Sequence, residues 1–163
     1  MSLRLLTGGI LSAFADMVYA NRRRLYRLWV VAPWIGSRES GRDPVATVCD
    51  ALTGSKCVAN VFTRPPDLRW HADALAKIRV TGRATIYLAP HLHTKLYILE
   101  CDGFRAALVG SPNLTPEAEQ RNRELAIEFR TTESTREDPV SAVITDLSEY
   151  AWSLRGEVDV ELM

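Results

Sequence analysis

The sequence predicts one α/β domain, with a mixed, mainly β-sheet core flanked by helices on both faces. Three observations carry that expectation. Apolar residues spaced three and four apart alternate, from end to end, with short runs rich in β-branched and aromatic residues. No linker, internal repeat or low-complexity tract interrupts them. One connection, Asp102-Gly103 between two apolar runs, signals a hairpin, so not every link passes through a helix. A chain of 163 residues, 47% hydrophobic and 25% charged, is enough for a single domain over 1–163 with a real core.

In chain order, residues 10–21 carry Ile10, Leu11, Phe14, Met17 and Val18 on one helical face. The preceding stretch, with an early Arg4 and an Ala-Phe-Ala before Asp16, loosely resembles a secretory leader. Thr7, Gly8 and Gly9 break its apolar run, and cleavage after Ala15 would split the amphipathic pattern, so a helix of the fold is the reading taken. "LYRLWVVA" (25–32) reads as a buried strand ending at Pro33. Asp43 caps a helix with Pro44 in its first turn and Gly54 just past its end, with Val45, Val48, Cys49 and Leu52 on one face. "CVANVFT" (57–63) is a strand stopped by Pro65 and Pro66. A helix over 68–78 and a strand over 84–89 follow. "HTKLYILE" (93–100) and "FRAALVG" (104–110) flank the hairpin. Thr115 caps a short helix from Pro116, and 124–130 alternates as a strand. Asp138 and Pro139 start a last helix, with Val140, Val143, Ile144, Leu147, Ala151 and Leu154 on its apolar face.

Charge excludes some functions. Twenty basic and twenty acidic residues cancel, so no global field draws nucleic acid or anionic lipid, and any basic surface is local. No run reaches the ~18–20 apolar residues of a transmembrane helix, and no membrane association is expected. Cys49, Cys57 and Cys101 sit in apolar runs without metal-ligand spacing. They read as free thiols of a reducing, cytoplasmic compartment.

The chemistry-bearing stretch is His93 to Thr115. Strand periodicity puts His93 and Lys95 on one face. The hairpin returns Gly110-Ser111-Pro112-Asn113 to the start of that strand. An imidazole, an ammonium, a hydroxyl and an amide then converge, without a carboxylate cage for a metal. Such donors suit an anionic tetrahedral group. Taken alone, His93 and Lys95 also fit a strand-end histidine and a solvated lysine.

These residues resemble the phospholipase D superfamily signature, His-x-Lys followed by Gly-Ser-x-Asn, here His93, Lys95, Gly110, Ser111 and Asn113. The acidic residue that the signature carries after the lysine falls on Glu100 instead of an aspartate. Asn122 and Glu124 match the Asn-x-Glu of small bacterial endonucleases with one such motif per chain. The order of elements agrees over nearly the whole chain. The resemblance implies a phospholipase D/nuclease-like fold and metal-independent phosphodiester hydrolysis with no cofactor. His93 would attack phosphorus and form a phosphohistidine, Lys95 and Asn113 would hold the non-bridging oxygens, Ser111 would assist, and Glu124 would orient the imidazole. Glu128, on the same strand face, competes with Glu124 for that role. The mechanism needs a second histidine. His71 and His91 start no second motif, so it is expected from another copy of the chain in a homodimer.

Two further candidates concern substrate. Arg22, Arg23, Arg24 and Arg27 form a basic cluster, with Arg24 as a candidate phosphate contact; a solvated helix end reads equally well. Trp34 either stacks a base or packs in the core or an interface. The function expected is a DNA endonuclease, and by analogy its setting is bacterial defence or restriction with a partner protein for targeting. The competing functions are a phospholipid phosphodiesterase or phosphatidyl transferase, and a nucleic-acid-binding module without activity.

Overall fold

The computed structural model describes residues 1–37, 43–120 and 122–157. Strands and helices follow in the order β1 (Ser2–Leu6), α1 (Ile10–Asn21), β2 (Leu25–Val31), α2 (Pro44–Thr53), β3 (Val58–Thr63), α3 (Arg69–Val80), β4 (Ala84–Leu88), β5 (Leu96–Cys101), β6 (Phe104–Gly110), α4 (Pro116–Gln120), β7 (Ala126–Thr131) and α5 (Pro139–Ser153). The seven strands form one mixed sheet in the order β1-β7-β6-β5-β2-β3-β4. β2, β3 and β4 run parallel. The pairs β2–β5, β5–β6, β6–β7 and β7–β1 run antiparallel.

Helices cover both faces, as the sequence predicts. Phe14 and Val18 of α1, Val48 and Leu52 of α2, and Leu75 and Ile78 of α3 pack with Leu28, Val30, Val61, Tyr97, Leu99 and Leu108 of the sheet. On the other face Val140, Ile144 and Ala151 of α5 cover Trp29, Val31, Phe62, Leu96, Ile98 and Ala107. The central strands contribute to both clusters, which is why β2 and β5 read as near-continuous apolar runs. Val143, placed on the apolar face of α5 by its spacing, is 37% exposed.

Local signals act where the sequence puts them. The Asp43 carboxylate accepts from the Val45 N–H at 3.0 Å and Pro44 opens α2. Asp138 caps α5 through the Ser141 N–H at 2.6 Å. Gly103 turns the β5–β6 hairpin with φ 68°. All three thiols are free. Glu100, the acidic residue of the signature, is buried and faces Arg27 at 3.4 Å and Arg105 at 3.6 Å, a bridge between β2, β5 and β6.

Three boundaries differ from expectation. Ser2–Leu6 is an edge strand against β7, with Arg4 facing Glu128 at 3.5 Å. Its Leu3 and Leu5 are 64% and 58% exposed, so it lacks the buried alternation that marks a strand in sequence. β5 begins at Leu96 and not His93, because its neighbour β2 ends there. Leu96 pairs with Val31, Ala32 turns its N–H to Phe62, and Pro33 has no N–H to continue. β7 begins at Ala126, because Leu125 is already engaged with Ser111.

Candidate active site

The polar residues of the motif gather where β2 and β3 end, β5 begins and β6 ends. In sheets with parallel strands the carboxyl ends are where loops diverge and leave room for a ligand. His93, Thr94 and Lys95 approach β5 outside the ladder. The Lys95 carbonyl accepts from the Gly110 N–H at 3.2 Å, which fixes Lys95 opposite the start of Gly-Ser-Pro-Asn.

Gly110 has a steric reason. A Cβ there would lie 2.2 Å from the Leu125 carbonyl oxygen and 2.6 Å from the Ala126 Cα, so only glycine lets β6 and β7 approach. The next residue uses that closeness. The Ser111 N–H donates to the Leu125 carbonyl at 2.9 Å, and the Ser111 hydroxyl accepts from the Leu125 N–H at 2.9 Å. The same hydroxyl donates to the Glu124 carboxylate. Glu128 sits elsewhere, buried and held by Arg130 at 2.9 Å and Arg4 at 3.5 Å.

Tyr97 braces the loop from below, its hydroxyl donating to the Pro112 carbonyl at 2.7 Å. Burial, and then the charge of Glu124, push that phenol well above its ordinary pKa, so it stays a donor. Asn113 reaches across to the segment after β2 and accepts from the Trp34 N–H at 3.4 Å. A parallel bridge between Ile35 and Leu114 and a 2.8 Å bond from the Gly36 N–H to the Leu114 carbonyl continue that pairing.

His93 is exposed, and its partner was not foreseen. Arg64, just past β3, places Nη2 at 2.8 Å from His93 Nε2 and 3.3 Å from Nδ1. Its Nε donates to the Leu92 carbonyl at 2.8 Å, and its guanidinium lies 4.8 Å from the centre of the Trp34 ring. A guanidinium only donates, so the ring nitrogen facing it carries a lone pair. No ion pair joins Arg64 to a carboxylate among the described residues. The signal for Arg64 was local, a cation directly after an apolar strand and before Pro65-Pro66. Its meaning depended on β3 and β5 meeting at one end of the sheet.

Arg24, the candidate phosphate contact, is not brought to this site. It lies at the opposite end of β2, where its Nε and Nη2 donate to the Asn21 side chain at 2.9 and 2.6 Å and its guanidinium covers Phe104 at 5.5 Å. Arg27 of the same cluster faces Glu100. His71 is also structural. It is fully buried, with Nε2 at 2.9 Å from the Thr63 hydroxyl. Burial pushes the thiols of Cys57 and Cys101 up to about 12 and about 11, so neither is a nucleophile at neutral pH. Among the described residues no group of three or more His, Cys, Asp or Glu is placed to hold a metal ion, and no helix is long and apolar enough to cross a membrane.

The architecture is that of known structures over nearly the whole chain. Nuc from Salmonella typhimurium, a phospholipase D family member, superposes with a TM-score of 0.72 over 96% of this chain and 95% of its own, at 14% identity. The fold is that of the phospholipase D superfamily. NucT from Helicobacter pylori agrees equally well, with a TM-score of 0.72 at 10% identity over 96% and 97% of the two chains. TrmBL2, an archaeal chromatin protein with a described mode of DNA binding, matches 97% of this chain and 53% of its own at 9% identity, with a TM-score of 0.59. No family model and no curated protein sequence matches the chain. The likeness is one of shape, and within the phospholipase D fold what this chain does rests on its own side chains.

Proposed function

We propose that the protein is a metal-independent phosphodiesterase, a DNA endonuclease with His93 as nucleophile. One observation carries the reading. His93, Ser111, Asn113 and Glu124 meet at one end of the sheet with Arg64, a guanidinium without an acidic partner among the described residues, set against the imidazole. A diester phosphate entering there supplies the missing anion. It takes the guanidinium of Arg64, the ammonium of Lys95 and the amide of Asn113 on its non-bridging oxygens. The imidazole lone pair, freed from Arg64, attacks phosphorus, and a nitrogen–phosphorus bond forms as the bond to the leaving oxygen breaks. Glu124, through Ser111, holds negative charge beside the site as the histidine becomes cationic.

The leaving oxygen needs a proton from the face opposite the nucleophile. The partner's His93 provides it in a homodimer, then takes a proton from the water that releases the phosphoryl group. The geometry of attack sets the two reacting nitrogens roughly 5–7 Å apart, each about 3–3.5 Å from its reacting atom. An exposed apolar strip supports a second copy. Leu3 and Leu5 of β1 lie beside Ile127 of β7 and Leu125 at its entrance, exposed by 64%, 58%, 39% and 52%.

The deciding experiment offers plasmid, single-stranded DNA, RNA and phospholipid to the protein in EDTA. Cleavage of nucleic acid in chelator, with an acid-labile phosphoryl group on His93, supports the reading; activity that needs added magnesium overturns it. Serial dilution tests the dimer, since activity per chain falls as dimers dissociate and stays constant if each chain works alone. The likeness to TrmBL2 favours a second reading, a DNA-binding module without turnover. Binding without cleavage of any of the four substrates identifies it.

A further inference from the structure

Beside the candidate site opens a cleft of about 780 Å³, lined among others by Trp34, Asp67, Leu68, Trp70, Asn113 and Glu117. Its volume is in the range of clefts that take a small organic group. Two of its walls belong to the candidate site, since Asn113 accepts from Trp34 and Trp34 carries Arg64 on its ring. Whatever sits in the cleft is therefore next to a phosphate held at His93.

The cleft is built, not accidental. Trp70, in the first turn of α3, leaves 44% of itself exposed. Its ring lies so close to Gly36 that a Cβ there would meet it at 3.3 Å. The turn is tied down by its neighbour: His71 Nε2 meets the Thr63 hydroxyl at 2.9 Å, and that hydroxyl donates to the Pro33 carbonyl at 3.1 Å. One hydrogen-bonded chain thus links the residue before Trp34 to the residue after Trp70. Two indoles are held in place at a partly open, apolar cleft.

Charge decides the class of occupant. Among the described lining residues the ionisable ones are Asp67 and Glu117, both exposed, and Lys77 reaches the rim only through its bond to Ser37 at 2.7 Å. That combination repels a phosphate and accepts from amino groups. Nucleobases fit both demands, with a flat face for an indole and amino donors on adenine, cytosine and guanine.

We propose that this cleft holds one unstacked base of a single-stranded nucleic acid, next to the phosphate at His93, and that Trp70 is its stacking surface. The proposal rests on the nucleic-acid reading above and extends it to the strand type. A base in a duplex keeps its face against its neighbours and cannot offer it to Trp70. Amino-bearing bases are preferred over thymine, because Asp67 and Glu117 accept from their donors.

The experiment measures binding with cleavage blocked. The His93→Ala chain is titrated with labelled oligo(dC), oligo(dA) and oligo(dT), and with a duplex of the same length. Single strands bind tighter than the duplex, and oligo(dC) and oligo(dA) tighter than oligo(dT). Adding Trp70→Ala weakens single-strand binding by about 5- to 150-fold, the range for removing one base-stacking aromatic. Adding Trp70→Phe restores most of it. Adding Asp67→Asn and Glu117→Gln levels the preference among bases. A melt of each variant shows that the fold is intact. Equal binding of duplex and single strand, or a folded Trp70→Ala variant that binds as tightly as its parent, overturns the proposal. Hydrolysis of bis(p-nitrophenyl) phosphate by the wild-type chain reports separately on the phosphodiesterase reading. A failure there leaves the binding result interpretable.

Discussion

The two ends of the sheet each carry an arginine beside a strand, and the two have different neighbours. β2 spans seven residues, so its ends lie about 20 Å apart. At the hairpin end Arg24 is engaged by its own neighbours. It donates twice to Asn21, covers Phe104, and its carbonyl accepts from Asp102 at 2.9 Å. At the other end Arg64 has a carbonyl, an aromatic face and a histidine around it, and no carboxylate among the described residues. In the proposed reading that arrangement suits a charge that arrives with substrate. Neither arginine is ion-paired among the described residues, so what sets Arg64 apart is the histidine beside it.

The largest expected effect removes the residue that defines the open end. His93→Ala should reduce phosphodiester cleavage to background and leave the melting temperature unchanged, because the side chain is exposed. Cleavage assays on wild type and variant, with mass spectrometry for a phosphoryl adduct in the wild type, check it. An active variant would place the chemistry elsewhere in the molecule.

Next comes the contrast between the two glutamates near β7. Glu124→Gln keeps shape, removes the charge beside Ser111, and is expected to cost roughly 10²–10⁴ in rate. Glu128→Gln instead loosens a buried carboxylate from Arg130 and Arg4 and is expected to cost about 1–3 kcal/mol of stability. Rate and melting temperature measured on both variants separate the roles. A rate loss confined to Glu128→Gln would move the carboxylate of the mechanism four residues along the chain, into β7.

The sequence made the candidate site more legible than its surroundings. Caps such as Asp43 and Asp138, the Asp102-Gly103 turn and the apolar faces of α1 and α2 are local, and local patterns identified them. The pairing of His-x-Lys with Gly-Ser-x-Asn was legible because a hairpin fixes which residues return opposite which. What escaped depends on strands distant in sequence. The start of β5 is set by Pro33, some sixty positions upstream, which ends the partner strand. β1 is a strand because β7 offers it an edge, not through its own pattern. Arg64 meets His93 only because the order β5-β2-β3 brings the end of β3 to the start of β5.

A smaller effect tests the two arginines directly. Arg64→Ala removes a charge-assisted contact to phosphate, and each such contact is worth about 1.5–3 kcal/mol, or roughly 10- to 150-fold in kcat/KM. Arg64→Lys should recover part of this, since a lysine keeps the charge without the fork. Arg24→Ala should leave kcat/KM within about twofold and lower the melting temperature slightly, through the lost bonds to Asn21. Equal rate losses in the two variants would mean that substrate spans the whole sheet, and the contrast between its ends would fail.

The smallest effect concerns the buried chain that steadies the open end. The Thr63 hydroxyl donates to the Pro33 carbonyl, so its bond with His71 is one in which Nε2 donates. His71 Nδ1 is then unprotonated and has no partner. Burial lowers the His71 pKa, and the nearby charge of Asp67 opposes it only in part. A histidine with a lowered folded-state pKa binds its proton more readily once unfolded. Stability is therefore fully present above the unfolded value, about 6.5, and declines as pH falls from there toward the folded value. The melting temperature should drop between pH 7 and pH 5, and His71→Gln, which can still donate to Thr63 but does not titrate, should flatten that part of the profile at some cost at pH 7. Because the same bonds steady Pro33 and the turn bearing Trp70, the wild-type chain should lose its grip on single-stranded oligonucleotide over the same pH range, and the His71→Gln chain should not. A pH profile of melting and binding that is identical in both chains would show that His71 is silent and that acid acts elsewhere.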